Sequence, residues 1–131
     1  MNGPSEERPK LLLVDDCVSQ RDLYQMVLDP EFNVITASRG LDAVALAAAE
    51  RPDVVVLDVM MPGLDGWETC TRIKSHPGSA DTPVLLLTGN TDADLAQHAI
   101  AVGAEAVISK PCSADRLLRM IRDAIDARPH H

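Results

Sequence analysis

The stretch VVVLDVMMPGLDG, residues 54–66, decides the fold. Its three valines and one leucine form an apolar run without polar alternation, which is typical of a strand buried on both faces of a parallel sheet. The run ends in Asp58, and a Met-Pro-Gly turn follows shortly afterwards. A buried strand that ends in a carboxylate just before a turn indicates a functional site at that end of the strand.

The same pattern recurs along the chain. Apolar runs at residues 10–14, 84–87 and, more weakly, 106–109 predict further buried strands, and the shorter, more polar run at 33–37 predicts an edge strand. Helical patterns separated by breakers such as Pro30 and Gly103 lie between these runs. Strand and helix therefore alternate five times, which predicts an α/β fold, doubly wound (βα)5, with a five-stranded parallel sheet and helices on both faces.

Apolar periodicity within the helical segments predicts which side chains face the core. The expected inward-facing residues are Leu23, Met26 and Val27 in the first helix, Leu41, Val44, Ala45 and Ala48 in the second, Cys70 and Ile73 in the third, Leu95, Ala99 and Val102 in the fourth, and Leu117, Ile121, Ala124 and Ile125 in the last.

Length and composition narrow the class of protein. The 131 residues suit one domain, expected at residues 10–127 between a polar arm at 1–9 and a tail at 128–131, whose histidines are either natural or a tag remnant. The net charge of −8 argues against direct binding of nucleic acid or an anionic membrane. Three cysteines without CxxC spacing, no signal peptide and no long apolar run predict a cytoplasmic protein without a membrane span.

Polar residues stand at the carboxyl ends of four predicted strands. Asp15 and Asp16 follow the first strand, Asp58 the third, Thr88 the fourth and Lys110 the fifth. In open α/β sheets the functional site lies beyond these strand ends, so the five side chains are expected to converge on one edge. Each alone has an ordinary explanation as a turn former, helix cap or surface residue, and only their joint occurrence indicates a site.

Charge predicts the chemistry of such a site. Three neighbouring carboxylates repel one another unless a cation intervenes, and ligands that are all oxygen suit Mg²⁺. One carboxylate can then attack phosphorus and form an aspartyl phosphate. The metal and a lysine would neutralise charge on the transferring phosphoryl group, and a threonine hydroxyl would bond another of its oxygens.

The segments LLLVDD, VVVLDVMMPGLDGWE, PVLLLTG and GAEAVISKP occur in an order and spacing that resemble the CheY-like receiver domain of bacterial two-component response regulators. The resemblance covers about residues 10–127. It implies a flavodoxin-like fold and a phospho-acceptor signalling domain that receives a phosphoryl group from a histidine kinase or histidine phosphotransfer protein. It implies no enzyme activity beyond self-catalysed phosphorylation and hydrolysis.

The resemblance also implies roles for individual residues. Asp58 corresponds to the phosphorylated aspartate, Thr88 to the switch hydroxyl, and Lys110 to the phosphate-binding lysine, which is usually followed by a cis proline bond. The implied Mg²⁺ ligands are Asp16 directly, Asp15 largely through water, Asp58 and the backbone carbonyl of Met60.

Two positions depart from the family pattern. Val107 stands where receivers commonly carry Tyr or Phe, and Cys112 where Phe is common. Short, β-branched Val107 cannot sweep out the volume of a ring, so we expect phosphorylation to act through the loop at residues 88–92 and the fourth helix. The resemblance places the output surface on the fourth helix, fifth strand and fifth helix. We expect Ile100 and Val107 on it, with a rim of Arg116, Arg119 and Arg122, binding an unknown downstream partner or a second copy in a phosphorylation-dependent homodimer.

Other functional classes fit less well. Phosphatases with an aspartate nucleophile usually carry a second aspartate two residues later, where this chain has Met60. A degenerate receiver acting as a constitutive binding module would normally lack an acid, the threonine or the lysine, and all are present. A Rossmann domain needs glycines after the first strand, and VDDCVSQ contains none.

Overall fold

The computed structural model describes residues 8–89 and 94–127, in which strands and helices alternate. The elements are β1 (Lys10–Val14), α1 (Val18–Leu28), β2 (Asn33–Ala37), α2 (Gly40–Glu50), β3 (Val54–Asp58), α3 (Gly66–Ser75), β4 (Val84–Thr88), α4 (Leu95–Val102), β5 (Ala106–Ser109) and α5 (Ala114–Ala127). All strand pairs are parallel, in the order β2-β1-β3-β4-β5. The doubly wound (βα)5 fold is confirmed.

The strand order places β3 at the centre of the sheet. Val14 at the end of β1 lies opposite Leu57, and Asp58 at the end of β3 lies opposite Leu87. The carboxyl ends of β1, β3 and β4 therefore meet at one edge. β2 is an edge strand as expected, but β5 is also an edge strand, and Ile108 is its only fully buried residue rather than one of a buried run.

The core has one layer on each face of the sheet. Leu12 and Leu57 belong to the layer that packs against α2 and α3, and Leu13 and Val56 belong to the layer that packs against α1 and α5. Phe32, the only phenylalanine, is buried in the second layer. Because aliphatic residues of neighbouring strands are buried on both faces, the central strands read as continuous apolar runs.

The predicted inward faces are confirmed for α3, α4 and α5, whereas the predictions for Leu23 and Met26 in α1 are wrong. Met26 is 71% exposed and Leu23 is also exposed, whereas Leu28, at the end of α1, is fully buried. Leu28 and the partly buried Tyr24, one helical turn apart, pack in the second core layer, so the buried face of α1 is offset from the predicted one.

The predicted inward face of α2 is wrong in part, because Val44 packs against the core but Ala45 is exposed. Leu41 is exposed, and Gly40, Ala43 and Ala47 face the core instead. A Cβ at Gly40 would lie 2.3 Å from Thr69 Oγ1, so small residues are needed where α2 approaches α3. In an alanine-rich helix several apolar stripes have nearly the same spacing. The close approach of α3 means that the stripe with the smallest residues is the one that is buried.

Within residues 8–89 and 94–127, no helix is long and apolar enough to cross a membrane. The arm at residues 1–7 and the tail at 128–131 lie outside the described residues.

Candidate functional site

The predicted acidic residues meet at the carboxyl edge of the sheet. Asp15 is 1% exposed and Asp58 is 3% exposed, while Asp16 faces solvent. One carboxylate oxygen from each of the three lies within 4.8 Å of the other two. The parallel register makes this possible, because β1 and β3 are neighbours that end at the same level.

Asp58 is held on both of its oxygens. Its Oδ1 accepts a hydrogen bond of 3.0 Å from the backbone N–H of Met60. Its Oδ2 lies 3.2 Å from the ammonium of Lys110 and also 3.2 Å from the amide nitrogen of Gln20. The carboxylate is therefore fixed in orientation and partly neutralised by a cation, although it lies in a buried position.

Lys110 reaches Asp58 because of the pairing between β4 and β5. Its backbone N–H donates to the carbonyl of Thr88 at 2.8 Å, which continues the ladder one residue beyond β5. The peptide bond from Lys110 to Pro111 is cis. Thr88 is fully buried at the end of β4, next along the edge from Asp58. The five residues singled out at the strand ends thus share one edge.

Asp15 is bound by the start of α1. Its Oδ1 accepts from the N–H of Cys17 at 2.9 Å, and its Oδ2 accepts from the amide of Gln20. Burial raises the pKa of Asp15 above that of an ordinary aspartate. The hydrogen bonds from Cys17 and Gln20 lower that pKa in part, and the charge of Asp58 raises it further.

Gln20 is the site residue that sequence reasoning missed. It lies on α1 four positions after Asp16, about one helical turn, so its side chain points back toward the strand ends. The available signal was a polar residue on a helix that begins immediately after two aspartates. Nothing in that spacing shows that its amide reaches a carboxylate on a different strand.

The turn after Asp58 folds back tightly on the strand. Gly66 starts α3 and donates its N–H to the carbonyl of Val59 at 3.0 Å, while Asp65 caps the helix by accepting from the N–H of Glu68. Gly63 has a φ of +74°, which glycine adopts without strain. The turn leaves the backbone of Met60 beside the carboxylates and its side chain exposed.

A cavity of about 480 Å³ lies beside this turn, lined by Val59, Met60, Met61, Pro62, Asp65 and Trp67. At its edge the Trp67 ring stacks on His98 of α4, with the ring centroids 3.8 Å apart and the planes 11° from parallel. This stack joins the start of α3 to α4, and it does not follow from the sequence spacing.

The oxygen donors of the site suit a hard cation. Carboxylate oxygens are ligands that Mg²⁺ prefers, and no histidine or thiolate belongs to the acidic cluster of the described residues. Asp16 opens the cluster to solvent, so there is room for the water ligands that Mg²⁺ retains. The residues present therefore fit this ion.

The residues expected on the output surface differ in their exposure. Ile100 is 77% exposed on α4, and Arg116 and Arg119 are exposed on α5. Val107 is half-buried and packs against the core layer that includes α2 and α3.

The expected position of Arg122 is wrong. Arg122 forms an ion pair with Glu31, which precedes β2, so it faces the α1 side of α5 and not the α4 side. The helical rotation between positions 116 and 122 carries the last arginine around the helix axis. The loop at residues 88–92 is predicted to move on phosphorylation, and positions 90–92 of this loop lie outside the described residues.

Comparison with known proteins identifies the family. The model of the response regulator receiver domain matches residues 11–122. The chain belongs to this family. The receiver is therefore a phospho-acceptor signalling domain of two-component systems.

Individual relatives agree with this family. The receiver is 36% identical to protein PilG of Pseudomonas aeruginosa over 115 residues, which are 86% of this chain and 84% of PilG. It is 37% identical to a probable transcriptional regulator ycf27 of Guillardia theta, covering 89% of this chain and 45% of that protein. The structure of the chemotaxis protein CheY4 of Vibrio cholerae superposes with a TM-score of 0.84 at 34% identity, covering 89% of this chain and 98% of CheY4. The chain thus spans less than half of ycf27.

Proposed function

We propose that this receiver accepts a phosphoryl group on Asp58 from a histidine kinase or a histidine phosphotransfer protein. The observation that carries the proposal is the environment of Asp58. A buried carboxylate lies at the end of the central strand, with the Lys110 ammonium 3.2 Å from one oxygen and two further aspartates beside it. This arrangement holds a nucleophile in place and provides positive charge where a phosphoryl group would arrive.

Each residue has a defined part in the proposed transfer. A carboxylate oxygen of Asp58 forms a bond to phosphorus as the phosphorus–nitrogen bond of the donor phosphohistidine breaks, and the electron pair stays on the histidine nitrogen. Lys110 moves its hydrogen bond from the carboxylate to a phosphoryl oxygen, and Thr88 bonds a second one. The Met60 N–H keeps Asp58 oriented. Attack of water on phosphorus later restores the carboxylate and ends the signal.

Mg²⁺ is the proposed cofactor, held by Asp15, Asp16, Asp58 and the backbone carbonyl of Met60. When bound, it supplies charge neutralisation for the carboxylates and for the oxygens of the phosphoryl group. Burial raises the pKa of Asp15 and the neighbouring charge of Asp58 raises it further, and a cation between the two carboxylates would relieve that repulsion.

Acetyl phosphate labelling in the presence of Mg²⁺ tests the acceptor. Intact-protein mass spectrometry should show one added phosphoryl group on the wild type and none on Asp58→Asn. Asp65→Asn is the matched control, because Asp65 lies exposed in the same turn and asparagine caps a helix about as well as aspartate. Labelling of the Asp58→Asn variant at the wild-type level would refute the assignment.

We further propose that the α4–β5–α5 face carries the signal to a downstream partner or to a second copy of the chain. The exposed Ile100 on α4 supports this face, and Arg119 lies exposed on α5. Because Val107 is fixed against the core, α4 itself is expected to move. Amide hydrogen exchange should change on phosphorylation mainly between residues 88 and 102. Changes concentrated in α1 or α2 would contradict this face.

A further inference from the structure

Gln20 connects two carboxylates that belong to different strands. Its Nε2 donates to Asp15 Oδ2 and to Asp58 Oδ2, the second at 3.2 Å. A primary amide has two N–H donors, and ionised carboxylates only accept, so the nitrogen end must face both acids. The amide therefore lies between two like charges and offers one hydrogen to each.

Asp58 has few positions left for new partners. A carboxylate oxygen accepts in about two directions, and Oδ2 already has the Lys110 ammonium and the Gln20 amide as partners. Oδ1 accepts one bond from Met60 among the described residues. A metal ion that binds this carboxylate therefore competes for its negative charge with the hydrogen-bond donors already in place.

When a cation binds, the Gln20 bond is the one of these three that is most easily given up. The Met60 N–H belongs to the backbone of the turn and is fixed, and the Lys110 bond is between two charged groups and is therefore stronger than a bond from a neutral amide. A dication that shares the charge of Asp15 and Asp58 also weakens every hydrogen bond those carboxylates accept. The amide consequently stabilises the metal-free site more than the metal-bound site.

We infer that Gln20 is a positioning residue that stabilises the metal-free form of the acidic site and so weakens the binding of Mg²⁺. This inference rests on the proposed function, because it assumes that the acidic cluster binds Mg²⁺. Gln20 and Mg²⁺ relieve the same repulsion between Asp15 and Asp58, and the stability that the amide confers must be overcome when the ion binds. The residue therefore sets the Mg²⁺ concentration at which the receiver becomes ready for phosphorylation.

Substitution by methionine tests the inference, because Gln20→Met keeps the length of the side chain and removes both donors. Gln25→Met makes the same change five residues later in α1 and is the matched control. In buffer with EDTA, Gln20→Met should melt at a lower temperature than Gln25→Met. In isothermal titration calorimetry, Gln20→Met should bind Mg²⁺ roughly three- to tenfold more tightly than Gln25→Met.

A second variant distinguishes the loss of the Gln20 hydrogen bonds from a general folding defect. The shorter amide of Gln20→Asn cannot span both carboxylates, so it should shift the melting temperature and the Mg²⁺ affinity in the same directions by a smaller amount. Equal or weaker Mg²⁺ binding by both variants relative to Gln25→Met would overturn the inference. Absence of Mg²⁺ binding by the wild type would instead contradict the proposed function.

Discussion

Replacement of Gly66 by alanine should displace the backbone of Asp58, because Gly66 at the start of α3 lies against the end of β3. Gly66 is buried at the start of α3, and a Cβ built there would lie 2.5 Å from both the carbonyl oxygen of Asp58 and the Cα of Val59. An ordinary contact between such atoms is about 3.5 Å, so the overlap is about 1 Å. Both atoms belong to the backbone and cannot rotate away, and either the strand end or the helix must move.

The magnitude follows from the cost of overpacking. Extra methyl groups in a packed interior cost about 1–3 kcal/mol, and a clash with the backbone of a central strand belongs at the upper end. We therefore expect Gly66→Ala to lower the free energy of unfolding by about 2–3 kcal/mol. A displacement of about 1 Å at a reacting group can slow a reaction about a hundredfold, so phosphorylation of Asp58 by acetyl phosphate should slow at least tenfold.

Urea denaturation followed by circular dichroism measures the stability, and mass spectrometry measures the labelling rate. Gly89→Ala is the control, because Gly89 follows Thr88 at the same edge and an added Cβ meets no atom within 4 Å. The control should change the free energy of unfolding by no more than about 0.5 kcal/mol. If Gly66→Ala matches Gly89→Ala in both stability and labelling rate, the close approach of α3 to β3 does not position the acceptor.

Two further predictions concern the buried Asp15 and the stack of Trp67 on His98. Burial raises the pKa of Asp15 in the folded state, so the folded protein binds more protons than the unfolded chain above about pH 4, and metal-free stability should fall as the pH rises through that range. The Asp15→Asn variant should not lose stability in this way. In thermal melts with EDTA between pH 4 and pH 7, the melting temperature of Asp15→Asn minus that of the wild type should therefore increase with pH. A difference in melting temperature that does not change with pH would contradict the prediction. Loss of the stack in His98→Ala should cost about 0.5–1 kcal/mol and change the fluorescence of Trp67, whereas the exposed Gln97→Ala on the same helix should leave the emission unchanged.

The sequence alone determined the fold and the edge at which the site lies. Apolar runs without alternation predicted four strands and a more polar run predicted the fifth, with β3 and β4 each one residue longer in the structure. Parallel strands joined by helices have their carboxyl ends on one edge, so the residues that follow those strands had to converge, and Asp15, Asp58 and Lys110 do. These conclusions depend on chain order and local pattern, which the sequence contains directly.

Only the tertiary structure decided which helix faces are buried and which side chains complete the site. The wrong predictions for α1 and α2 arose because several apolar stripes were available, and the packing of neighbouring elements selected among them. Gln20 contacts Asp58, which lies 38 positions later in the chain. Trp67 stacks on His98, which belongs to a different helix. Such contacts depend on how helices are rotated and on how far individual side chains reach. A linear pattern does not encode those quantities, because they are set by the packing of the whole domain.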